Sequence, residues 1–310
     1  MISSVIDGVS CAGRLAARVS ADVRQLKKRE GIIPGLAMVV LGRSPASCVY
    51  VAAKNKKAIE VGIRPYTHWL PENTTQEELL NLIGDLNRSD QVDGIVVQLP
   101  LPGHISEAAV FGAIEVEKDV DGLGEVNGGR LFSGDRGVGF IPCTPQGCML
   151  LLKTLHQDPT GLEAVVVGRS RLVGRPMAHL LLQAGCTVTI AHSKTKSIEE
   201  VCRRGDILVV AVGVPRLVQA TWVKPGATVI DVGINRMLKP SSVEDQLVSC
   251  VGDVDFHNVK DVAGAITPVP GGVGPMTVGV LLANTLLASM SRRDLCCDSL
   301  RRYLRDGMLG

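Results

Sequence analysis

Residues 164–176 read Ala164-Val165-Val166-Val167-Gly168-Arg169-Ser170-Arg171-Leu172-Val173-Gly174-Arg175-Pro176. Apolar residues run into a glycine; a second glycine and a proline then open the next apolar pattern. A buried strand, a tight turn and a helix with proline in its first turn account for that order. Backbone N–H groups and the dipole at such a helix start suit a phosphate. The G-x-G-x-x-G spacing is not met, because only Gly168 and Gly174 are present, and an ordinary strand–helix turn would also place glycines here. Arg169 and Ser170 add a cation and a hydroxyl to the turn.

Working outward, further strand-like runs cover residues 187–191, 207–212 and 228–232, with a helical pattern at 176–183. This alternation is that of a dinucleotide-binding doubly wound sheet. The first half shows the same rhythm. Residues 36–41 form an apolar run ending at Gly42, 47–61 suit a helix, and 66–70 read as a strand. Thr75 and Glu78 have capping-box spacing before a helix through Leu86, and 94–99 again read as a strand. Parallel strands buried on both faces explain the unbroken apolar runs. Residues 100–145, rich in Gly, Asp and Pro, read as an inter-domain connection, followed by a helix over 146–155. A final apolar helix is expected over 277–290, and the Arg-rich last twenty residues suggest a solvated amphipathic helix. The expected fold class is α/β: two α/β domains flanking a cleft, the C-terminal one Rossmann-like. The expected boundaries are 1–145 plus 280–310 for one domain and 146–279 for the other.

The 310 residues favour two domains. Lys plus Arg total 33 against 31 Asp plus Glu, a net charge of +2, which removes the electrostatic case for nucleic acid. Aromatics at 3% give little for stacking single strands. The two long apolar stretches, near Leu180 and Leu281, are interrupted by polar residues or glycine, so no membrane span is expected. No signal peptide is evident at the N-terminus. Nine cysteines, an odd number without zinc or redox spacing, suggest reduced thiols and a cytoplasmic protein, a mitochondrial location remaining open.

Several clusters carry chemistry. His192-Ser193-Lys194-Thr195 follows the second strand of the dinucleotide pattern, where an acidic residue would hold a free ribose hydroxyl. Its neutral and basic residues favour NADP over NAD, although an ordinary polar loop has the same composition. Tyr50 and Lys54 stand i, i+4 on one helix face. Lys54 there suits polarising a substrate or shuttling a proton, or else is a solvated lysine like Lys56 and Lys57. Gln98-Leu99-Pro100 ends a buried strand, where open sheets bind ligands. Lys118-Asp119-Val120-Asp121-Gly122 offers two carboxylates but no matching metal-ligand cluster, so no metal is expected and one carboxylate facing an N–H-rich heterocycle is more economical. Thr267-Pro268-Val269-Pro270-Gly271-Gly272-Val273-Gly274-Pro275-Met276-Thr277 forms a tight loop before a helix and allows close backbone approach to a ligand.

Together, Tyr50-x-x-x-Lys54, residues 93–101, residues 118–122, Pro142-Cys143-Thr144-Pro145, residues 167–170, His192-Ser193-x-Thr195, Gly252-Asp253 and the loop 267–277 resemble the methylenetetrahydrofolate dehydrogenase/cyclohydrolases of the bifunctional FolD type. The resemblance implies NADP-linked oxidation of methylenetetrahydrofolate, hydrolysis of the methenyl product to the formyl form, and a homodimer through the cofactor domain. It implies Lys54 as the central catalytic group, Gln98 tuning it, Ser47 supporting it, Tyr50 packing on the folate and Asp121 holding the pterin. Leu99, Val269, Pro270 and Gly271 would border the substrate. Thr144, Gly168, Arg169, Ser170, His192, Ser193, Gly233, Ile234 and Thr277 would line the cofactor. Leu123-Gly124-Glu125 departs from the bulkier or imidazole-bearing segment frequent in relatives. The competing readings are an NADP-dependent dehydrogenase of another small substrate, such as a shikimate-type enzyme, and a dinucleotide sensor without turnover.

Overall fold

A computed structural model describes residues 4–134, 139–238 and 248–307. Parts of three segments read above, at 1–3, 135–138 and 308–310, lie outside them. The chain divides into two compact units: 144–277 together with residues 4–12, and 13–143 together with 278 onward. The first unit contains an all-parallel six-stranded sheet in the order Ser4–Val5, Ala265–Ile266, Thr228–Asp231, Ile207–Val210, Glu163–Val167, Thr187–Ala191. Its inner strands are buried throughout, so their apolar runs face packed side chains on both sides. Residues 4–12 were expected with the other unit. They join this one because Ser4 and Val5 pair in parallel with Ala265 and Ile266. An antiparallel hairpin, Asn235–Leu238 with Val248–Val251, was not anticipated.

The second unit holds a parallel sheet in the order Arg64–Leu70, Gly35–Leu41, Gly94–Val97. Ser44 caps helix Pro45–Val61 by accepting from Ser47 N at 3.1 Å, and Gly62 ends it in the left-handed region at φ 91°. Helix Gln76–Arg88 has the expected capping box between Thr75 and Glu78. Residues 100–145 are not all loop: they include helices Glu107–Ala113 and Glu125–Ser133. Ser106 caps the former while Val110 and Phe111 bury its apolar face. Gly128 and Gly129 lie within the latter with open space around them.

Helix Gly8–Glu30 was missed, although Leu15, Val19, Val23 and Leu26 line up at helical spacing and are buried. Helix Val273–Ser291 is long and apolar enough to cross a membrane by length and composition, contrary to the sequence expectation. Its apolar window is 72% buried inside the protein, the property of a core helix. The final helix, Asp298–Asp306, is amphipathic, but it is not simply solvated: Leu300, Tyr303 and Leu304 are buried. Just before it, Arg292 and Arg293 reach the buried Asp93 at 2.9 and 2.6 Å, and Asp93 also accepts from Gly35 N at 3.0 Å.

Lys118 is fully buried. Its ammonium donates to the carbonyls of Leu86, Asn87 and Ser89 at 3.0, 2.5 and 2.8 Å, closing the end of helix Gln76–Arg88. Burial, first, and the Arg292 charge lower its pKa from the ordinary lysine value. Lys118→Met keeps the stem and removes the donor from three carbonyls, and should destabilise the fold by about 2–4 kcal/mol in urea unfolding. A change below about 0.5 kcal/mol would contradict this role.

Candidate active site

In the unit formed by 13–143 and 278 onward, the first cluster joins helix Pro45–Val61 to the carboxyl end of strand Gly94–Val97. Lys54 Nζ donates to Gln98 Oε1 at 3.0 Å. Gln98 Nε2 donates to Leu99 O at 2.8 Å, which fixes the amide orientation and turns the carbonyl oxygen toward the lysine. Gln98 N in turn donates to Val39 O at 2.8 Å, so its backbone is anchored by the central strand. Tyr50 stands one helical turn from Lys54. Ser47 is engaged elsewhere: its hydroxyl lies 2.9 Å from Ser44 Oγ at the helix start. No hydrogen bond joins it to Lys54 among the described residues.

The two carboxylates of 118–122 have different tasks. Asp119 is buried and accepts from Leu123 N at 3.1 Å, Gly124 N at 2.8 Å and Asn127 Nδ2 at 2.7 Å. Asn127 Oδ1 then accepts from Phe140 N at 3.1 Å. Gly122, at φ 68°, passes so close to Phe140, Ile141 and Pro142 that a Cβ would fall 2.7 Å from Ile141 C. Asp119 therefore holds the loop, while Asp121 lies against the Cys143 thiol.

Cys143, also unforeseen, is buried beside both halves of the cluster. Its thiol donates to Val120 O at 3.3 Å, and Asn284 Nδ2 donates to the same carbonyl at 2.9 Å. Burial pushes the thiol well above its ordinary pKa. The Asp121 charge and hydrogen bond push the same way, and Lys54 opposes them.

In the other unit, Gly168 turns at φ 122°, and a Cβ there would collide with Ala211 O. Gly174 likewise backs onto the Gly168 carbonyl. Ser170 Oγ accepts from Val173 N and Gly174 N at 3.2 and 3.3 Å, capping the next helix, while Arg169 and Ser170 stay exposed. His192 N donates to Thr195 Oγ1 at 2.9 Å and Thr195 N to His192 O at 2.8 Å, so residues 192–195 close into a turn with Ser193 exposed. The Thr144 and Thr277 hydroxyls lie 3.1 Å apart. Val269-Pro270 is a cis peptide, as is Leu99-Pro100, and Gly271 has φ 105°. Gly233 packs against the Asp253 carboxylate and Ile234 is exposed.

Comparison with known proteins assigns both units of the chain. Residues 6–121 match the catalytic domain of tetrahydrofolate dehydrogenase/cyclohydrolase, and residues 142–293 match its NAD(P)-binding domain. The chain belongs to the tetrahydrofolate dehydrogenase/cyclohydrolase family. The bifunctional protein FolD of Brucella ovis is 51% identical over 289 residues, covering 93% of this chain and 96% of the relative. FolD methylenetetrahydrofolate dehydrogenase/cyclohydrolase from Campylobacter jejuni has a TM-score of 0.87 at 44% identity, covering 94% of this chain and 99% of that one. The Trypanosoma brucei enzyme, solved with NADP cofactor and inhibitor, has a TM-score of 0.89 at 40% identity, covering 95% and 99%. These likenesses favour the folate-linked reading over a shikimate-type dehydrogenase or a sensor.

Asp119 also supplies a pH signature. Burial raises its pKa to about 6, against the lowering effect of its hydrogen bonds, while the unfolded residue titrates near 3.8. The unfolded chain loses this proton first, so the group's stability contribution is complete below about pH 4 and is lost as pH rises to about 6. The stability of the wild type relative to Asp119→Asn should fall across that window and then level off. Urea titrations at successive pH values check this, and a difference that grows with pH would contradict it.

Proposed function

We infer that this enzyme oxidises 5,10-methylenetetrahydrofolate to 5,10-methenyltetrahydrofolate with NADP and hydrolyses that product to 10-formyltetrahydrofolate. The observation that carries the reading is the Lys54–Gln98 hydrogen bond within the segment matching the catalytic domain.

The turn at Gly168–Ser170 fits a dinucleotide, because its backbone is bare of side chains where it bends and its exposed residues are a cation and a hydroxyl. Residues 192–195 contain no carboxylate to repel a 2′-phosphate. Arg169, Ser170 and Ser193 hold the phosphates, with His192, Gly233, Ile234, Thr144 and Thr277 bordering the cofactor. NADP, when bound, supplies the hydride acceptor. The chain's own share of the oxidation is alignment: the reacting carbon lies between two nitrogens that stabilise the cation left behind.

Tyr50 packs on the folate, and Asp121 accepts from pterin N–H groups. Leu99, in the same unit as Tyr50 and Asp121, borders the substrate. In hydrolysis, water adds to the methenyl carbon and gives up one proton; the carbon–N5 bond then breaks with its electron pair passing to N5, while the carbinol oxygen forms the formyl C=O and releases its remaining proton to solvent. Lys54 Nζ takes up the proton released by water and delivers it to N5, with Gln98 holding the amine in place. A homodimer through the dinucleotide-binding unit has support in the edge strand Thr187–Ala191, where Ile190 is exposed, as is Leu182 on the neighbouring helix. A cytoplasmic location accords with the free cysteines.

Lys54→Met tests the assignment. General acid–base catalysis contributes about 10²–10⁴-fold, so methenyltetrahydrofolate hydrolysis should fall by at least about 100-fold. NADPH binding, followed by nucleotide fluorescence, should stay within about twofold. Retained hydrolysis would remove Lys54 from the proton-transfer role.

A further inference from the structure

The pair Gly252-Asp253 has no part in the chemistry above, yet Asp253 is fully buried in the unit that matches the NAD(P)-binding domain. Its Oδ2 accepts from Val212 N at 2.7 Å and Gly213 N at 2.9 Å, and its Oδ1 accepts from Asn235 Nδ2 at 2.8 Å. No Lys or Arg pairs with it among the described residues. Among the described residues its carboxyl oxygens accept from amide N–H groups alone, so the group ties those donors to one place.

A second buried carboxylate holds the first. Asp231, the last residue of strand Thr228–Asp231, accepts from Asp253 N at 2.9 Å, Val254 N at 2.9 Å and Gly233 N at 3.0 Å. Glycine is required at 233 and 252, because a Cβ at either position would overlap the carboxylate of Asp253 or Asp231 respectively.

The location gives this arrangement its meaning. Strand order reverses between Glu163–Val167 and Ile207–Val210: the chain goes from the former to Thr187–Ala191 on one side, then returns to the latter on the other. Open parallel sheets bind ligands in the crevice outside the carboxyl ends at such a reversal. The turn beginning at Gly168 is one wall of that crevice, and the segment following Val210 is the other. Gly168 packs directly on Ala211, the residue before the two amides that Asp253 holds.

We propose that Asp253 is a positioning residue for the dinucleotide, fixing the Val212–Gly213 wall of the switch-point crevice from a segment distant in sequence. This rests on the dehydrogenase reading for its purpose, but its test does not need turnover. Asp253→Asn keeps one oxygen acceptor and places an amide donor against two N–H groups or one Nδ2. The Kd for NADPH, measured by nucleotide fluorescence, should rise at least tenfold. Hydrolysis of methenyltetrahydrofolate without dinucleotide should keep its kcat and KM within twofold. A Kd unchanged within twofold in a folded variant would overturn the proposal.

Where Asp253→Asn lowers binding and hydrolysis alike, Asn235→Ala decides. It removes one donor from Asp253 and leaves the carboxylate. A two- to fivefold rise in NADPH Kd with hydrolysis intact supports positioning, whereas unchanged binding assigns Asp253 to folding alone. NADPH binding by the wild type without folate-dependent reduction would sink the dehydrogenase reading and leave this proposal standing.

Discussion

The turns that leave a parallel sheet carry backbone N–H groups that the strand ladder no longer satisfies. Buried, each such group costs about 1–3 kcal/mol if left without a partner. This chain meets the constraint repeatedly with a buried carboxylate. Asp253 takes Val212 and Gly213 after strand Ile207–Val210, and Asp231 takes Gly233 after its own strand together with Asp253 and Val254; in the loop between helices Glu107–Ala113 and Glu125–Ser133, Asp119 takes Leu123 and Gly124 in the same way. A carboxylate oxygen accepts more than one donor, so a single side chain fixes two or three amides. The loops that border both candidate sites are shaped by these contacts.

Burying so many carboxylates has a consequence in their protonation. Burial raises Asp119 to about 6 and Asp231 to about 7, in each case against hydrogen bonds that favour the ion. Asp93 is handled differently, with Arg292 and Arg293 supplying counter-charge. Lys118 is the converse case, an ammonium buried against carbonyls at a helix end. The polar interior is thus arranged so that each buried group has partners, and no buried side-chain N or O lacks one among the described residues.

What the sequence disclosed follows from the same physics. Strands such as Leu36 to Leu41 and Val165 to Val167 were legible because burial on both faces leaves an uninterrupted apolar run. The Lys54 and Gln98 pairing was reachable, since a helix face and a strand end both point to one place. The division between Asp119 and Asp121 came only from the family resemblance, because two carboxylates two residues apart look alike until the loop closes on one of them. Ser4 and Val5 form a strand too short for any periodicity to reveal. Helix Gly8–Glu30 is a different case: its apolar stripe of Leu15, Val19, Val23 and Leu26 is present in the sequence. The role of Asp253 needed the fold, since Val212 and Gly213 lie 41 and 40 residues away in sequence.

Dinucleotide chemistry and one-carbon chemistry share one chain, with NADP as the oxidant. The most direct test supplies methylenetetrahydrofolate with NADP or with NAD and follows reduced nicotinamide and methenyl-folate together. The predicted result is folate-dependent reduction that favours NADP, with little methenyl-folate accumulating because hydrolysis keeps pace. Absence of folate-dependent reduction with either dinucleotide would contradict the account at its root, and steady accumulation of methenyl-folate would contradict its second half.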